Sequence, residues 1–103
     1  MGGSNFFRAR TVRRTQLFDD RAAQIQPDAA RLDEQLRGVE WAVATNPEEL
    51  PLIQGTSLRL IKTEPFPNAP PLRIFFTIDD AHYCTLQYVE RVEDLAAEED
   101  FSE

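Results

Sequence analysis

Hydrophobic and polar positions alternate in three runs in the second half of the chain. Leu58 to Thr63 sets Leu58 and Leu60 against Arg59 and Ile61. Leu72 to Ile78 sets Leu72, Ile74, Phe76 and Ile78 on one side and Arg73, Phe75 and Thr77 on the other. Tyr83 to Val92 sets Cys84, Leu86, Tyr88 and Val92 opposite Thr85, Gln87, Val89 and Arg91. A period of two marks half-buried strands, so these runs predict an antiparallel meander. The connections fit that reading. EPFPNAPP, with its four prolines, is too long and stiff for a two-residue turn and predicts a projecting loop, whereas Asp79-Asp80-Ala81 suits a tight hairpin.

The first half changes period. Leu32, Leu36, Val39 and Val43 recur every three or four residues, with Ala29 extending the series backward, which predicts an apolar helical stripe lying on the sheet. Pro27 suits the first turn of this helix and Asp28 complements its dipole. Asn46-Pro47 should end it, since a residue before proline is pushed out of the helical region. Trp41 lies off the stripe, where it would seal the margin. Phe18 to Ile25 predicts a shorter helix capped by Asp19 or Asp20. Arg10 to Leu17 permits a first strand that Arg13 and Arg14 leave poorly patterned; it would sit at an edge or in a swapped position, where charge discourages unwanted pairing. These elements describe an α+β domain over residues 10–92. In it, two N-terminal helices pack on one face of a three- to four-stranded antiparallel sheet, preceded by a leader (1–9) and followed by an acidic tail (93–103).

Charge is unevenly distributed. The net charge is −7, but residues 93–103 supply six acids and no base, so the rest is close to neutral. The low pI of 4.6 therefore neither demands nor excludes a polyanionic partner. A single cysteine, Cys84, precludes an internal disulfide and any Cys-rich metal site, and it reads as a small core residue. No apolar run approaches the roughly 20 residues of a membrane helix. A cytoplasmic protein without a membrane segment, cofactor or metal is the expectation.

On these elements the sequence resembles the RelE/ParE toxins of bacterial toxin–antitoxin pairs. The resemblance covers roughly residues 12–92. It is carried by LRLIKTEPFPNAPPLRIFFTIDD followed by YCTLQYVERV, in which Leu72, Arg73, Ile74, Phe75, Phe76, Thr77, Ile78 and Asp79 match an Arg-containing strand of that family. It implies a sheet with two helices on one face, and a toxin neutralised by a cognate antitoxin. The target is either mRNA, cut in the ribosomal A site, or DNA gyrase. It also implies that Arg73 faces the RNA backbone, with Arg59 and Lys62 on the preceding strand and Arg91 near the end of the last strand as RNA-binding bases.

RNA cleavage requires proton transfer at the attacking 2′-hydroxyl and at the leaving oxygen, and stabilisation of charge on phosphorus. Arg73 suits the last role, and Glu90 with Tyr88, which share a strand parity, suit the first two. Arg59 and Lys62 are three residues apart, so a regular strand points them to opposite faces and at most one joins Arg73. His82 falls in the hairpin turn, where a surface position is the simpler reading. The chain turns acidic after Val92 where RelE-like nucleases carry a basic segment. That departure keeps open a non-catalytic toxin relative or a small protein-interaction domain.

Overall fold

The computed structural model describes residues 9–64 and 69–92. Most of the leader with its Phe6-Phe7 pair, the centre of the proline-rich loop and the acidic tail lie outside the described residues. The elements are β1 (Thr11–Arg14), α1 (Gln16–Ile25), α2 (Ala29–Thr45), a 3-10 turn (Pro47–Glu49), β2 (Arg59–Lys62), β3 (Leu72–Ile78) and β4 (Tyr83–Arg91). The strands form one sheet in the order β1-β4-β3-β2.

The meander is present as the alternation predicts, with β2–β3 and β3–β4 antiparallel. The expected all-antiparallel sheet needs correction, because β1 runs parallel to β4, pairing Val12 with Cys84 and Arg14 with Leu86. Parallel neighbours need a long crossover, and here both helices and two strands separate β1 from its partner. The domain is therefore α+β with a mixed four-stranded sheet.

Both helices begin at side-chain caps that differ from those expected. Thr15 caps α1 by accepting from Phe18 N, so the helix starts ahead of Asp19, which instead sits favourably in its first turn. Asp28 caps α2 by accepting from Arg31 N, which leaves Pro27 outside the helix. The α2 stripe buries Leu32, Leu36, Val39 and Val43, as its spacing predicts, but Ala29 is exposed and Gln35 is buried in its place. Trp41 is 65% exposed and seals nothing.

The core lies between the helices and one sheet face. Phe18 and Ala22 of α1 and the α2 stripe meet Leu72, Ile74, Phe76, Cys84, Leu86 and Val89. Each large apolar side chain buried there contributes about 1.5–3 kcal/mol relative to exposure. Burial also pushes the Cys84 thiol above its ordinary pKa, consistent with an inert core residue.

The strand parity read for β4 holds only to Gln87. The register shifts beside Phe75 and Phe76: Phe76 opposes Leu86 and Phe75 opposes Tyr88, leaving Gln87 as the extra residue of a bulge. From there the faces exchange relative to simple alternation. Val89 enters the core, and Tyr88 leaves it.

Candidate functional site

The bulge assembles the sheet face opposite the helices. Cross-strand partners share a face, so the pairs Lys62–Arg73–Glu90 and Leu60–Phe75–Tyr88 form two adjacent rows across β2, β3 and β4. The Phe75 and Tyr88 rings lie 6.0 Å apart between centroids, tilted by 52°. Arg73 is half-buried, and its Nε is fully buried without a hydrogen-bond partner. A buried cationic donor left unsatisfied is costly, so an acceptor brought to Arg73 would relieve that cost.

A third cation joins from the helical layer. β1 ends at Arg14, so the edge of β4 beyond Leu86 has no strand beside it, and groups from the N-cap and the middle of α1 take over its backbone carbonyls. Thr15 N donates to Leu86 O, Thr15 Oγ1 to Gln87 O at 3.2 Å, and Arg21 Nε to Val89 O at 2.9 Å. This carries the Arg21 guanidinium round the edge to lie 4.5 Å from the centre of the Tyr88 ring. The patch thus sets Lys62, Arg73 and Arg21 against Glu90, a cationic surface on an acidic chain.

Four of the six candidate residues come together here: Arg73, Glu90, Tyr88 and Lys62. Arg59 points the other way, as the spacing rule requires, and donates from Nη1 to Glu48 O and Leu50 O, holding the loop before β2. Arg91 is paired with Leu72, on the parity of the core face at the strand's end. Arg21 was not foreseen from the sequence. Its role depends on where β1 stops and how α1 crosses the edge of β4, which no periodicity records.

The other end of the same face is closed by internal contacts. Arg13 lies 4.1 Å from the centre of the Tyr83 ring and pairs with Asp79 at 3.1 Å. The Asp79 carboxylate also accepts from Thr77 Oγ1 and Thr85 Oγ1. Burial opposes its ionisation, but the bonds from Thr85, Thr77 and Arg13 outweigh that and hold Asp79 below the usual carboxylate range. His82 sits exposed in the adjoining turn, away from the Arg73 row. On the helix side, Arg14 pairs with Glu40 and Asp19; burial disfavours its charge, yet these partners raise its pKa.

Among the described residues, no group of His, Cys, Asp and Glu could hold a metal ion, and no helix is long and apolar enough to cross a membrane. No protein family, curated protein or solved structure matches this chain.

Proposed function

We propose that the chain is a toxin-type RNA-acting domain whose open sheet face binds single-stranded RNA and cleaves it. One observation carries the reading: Lys62, Arg73 and Glu90 form one row beside the Phe75–Tyr88 pair, on the face that the helices leave free. Cations flanking half-buried aromatic rings at an open sheet face are what a single strand requires, charge for phosphate and a flat surface for a base.

In the proposed reaction the ribose 2′-oxygen attacks the adjacent phosphorus, and the bond from phosphorus to the 5′-oxygen breaks. Glu90 takes the proton of the 2′-hydroxyl. Tyr88 gives its hydroxyl proton to the departing 5′-oxygen and is reprotonated from water. Arg73 neutralises the charge that builds on the phosphoryl oxygens, and Lys62 holds the neighbouring phosphate. A cognate antitoxin would neutralise the toxin, and translated mRNA would be the substrate.

Controlled expression in growing cells tests the reading. The expected result is growth arrest with cut mRNA, lost in Arg73→Ala and Glu90→Gln while the proteins remain folded. Unchanged growth and intact mRNA with soluble protein present would overturn it. Growth arrest with intact mRNA would redirect attention to DNA gyrase. A second reading, a non-catalytic binding face, is favoured by the Arg21 guanidinium already stacked on Tyr88. It expects Arg73-dependent binding of single-stranded RNA by the purified protein without any cleavage product.

A further inference from the structure

A second candidate site lies on the opposite side of the sheet edge. Between α2 and the edge strand β2 is a cavity of about 290 Å³ whose lining includes Glu34, Gln35, Gly38, Val39, Ile61 and Glu64. We propose that it receives the arginine side chain of a partner polypeptide lying along β2. This site shares Lys62 with the RNA-binding face but uses a different surface and needs no reaction there.

The chemistry follows from Gln35. This side chain is only 6% exposed, and its Nε2 donates to Pro70 O at 2.6 Å, which fixes which end of the amide is which. Its Oε1 is left buried with no donor. A native fold rarely leaves such an acceptor empty, and a small turn of the Gln35 amide toward the cavity it lines would offer Oε1 to an N–H group from outside. The carboxylates of Glu34 and Glu64 add negative charge, against the single positive charge of Lys62 at the rim. Val39, Ala42 and Ile61 supply an apolar wall for an aliphatic stem. Gly38 keeps the space open, since a Cβ placed there would meet nothing within 4 Å. A guanidinium meets these demands together: it has only donors, and its flat fork can serve the amide oxygen and a carboxylate at once.

The backbone of β2 argues for a peptide as the carrier. Leu60 N donates outward to Pro51 O, so the preceding loop covers the edge at that position. Thr63 N donates inward to Leu72 O, and the alternation of an antiparallel ladder therefore turns Lys62 N–H and C=O outward. These groups lie past the end of the covering loop. An extended segment bonded there places alternate side chains toward one face, where the cavity opens.

The test titrates the full chain with an acetylated, amidated Thr-Arg-Thr peptide, followed by NMR. The same peptide with citrulline, which is uncharged but has nearly the same shape, is the control, and free arginine tests for a small-molecule site. The expected result is saturable shifts at the Gln35 side-chain amide and the Lys62 backbone amide. Binding should be at least fivefold weaker with citrulline and lost in Gly38→Leu, which fills the cavity. Glu34→Gln with Glu64→Gln, two exposed changes that spare the core, should also weaken it at least fivefold. Absence of saturable shifts at Gln35, equal binding of the citrulline peptide, or tighter binding of free arginine than of the peptide would each overturn the proposal.

Discussion

Gln87 and Tyr88 are adjacent in sequence and lie on the same face of the sheet. Gln87 Nε2 donates to Thr77 Oγ1 while the Tyr88 ring packs beside Phe75, and both Thr77 and Phe75 belong to the open face of β3. The bulge between them sets the address of every later residue of β4. Tyr88→Lys should then cost about 1 kcal/mol, the loss of one ring pair and one cation–π contact. Val89→Lys should cost more than about 3 kcal/mol, because it removes a core side chain and buries a charge. Denaturant unfolding of the two variants measures this order, and the reverse order would show uninterrupted alternation.

What the sequence displayed and what it hid divide along the same physical line. Properties repeated every few residues were legible: the α2 stripe, the three strands of the meander, the core position of Cys84, and the opposite facing of Arg59 and Lys62. Single events were not. A bulge at Gln87 breaks no propensity rule, so the apolar pattern alone put Val89 outside and Tyr88 inside. The parallel pairing of β1 depends on contacts more than 70 residues apart, such as Thr11 N to His82 O. Trp41 stays in solvent although its composition argues for burial, because α2 turns only its Leu32–Val43 stripe and Gln35 to the sheet. The candidate site inherits this split. Arg73 was readable from its strand, whereas Arg21 arrives by a route that only the completed edge of β4 creates.

Thr15 joins two elements at that edge. Its Oγ1 accepts from Phe18 N to cap α1 and donates to Gln87 O beside the bulge. Thr15→Ala should lower stability by about 1–2 kcal/mol, toward the upper end for a lost cap because the bulge carbonyl loses its donor too. Thr15→Ser restores both groups and should recover most of the loss. Thermal unfolding of the pair of variants measures both effects.

Gly38 has no conformational need for glycine. It sits inside α2 without a close neighbour, so an added methyl group meets no atom. Gly38→Ala should stabilise the domain by about 0.5–1 kcal/mol, through the lower backbone entropy of the unfolded chain and the higher helix propensity of alanine. An upward shift of the denaturation midpoint with an unchanged slope is the expected signature. A fall in stability would mean that the groove wall beside α2 is closed in solution.

Asp79 makes the β3–β4 turn sensitive to acid. Its carboxylate is held below its ordinary pKa by Thr85, Thr77 and Arg13, so the folded state favours the ionised form more than the unfolded chain does. A depressed folded pKa gives stability that is fully present above the unfolded value, about 4. It is lost as pH falls through the folded value. Asp79→Asn removes this linkage. The gap in stability between the parent and the variant should therefore be greatest near pH 6 and narrow steadily from about pH 5 toward pH 2. Glu48, lowered by its bond from Arg10, has the same sign, so the variant retains some acid sensitivity. Denaturant midpoints measured across that range decide the matter. A gap that is constant with pH would mean that Asp79 is not preferentially ionised in the fold, and a gap that widens in acid would reverse the assignment.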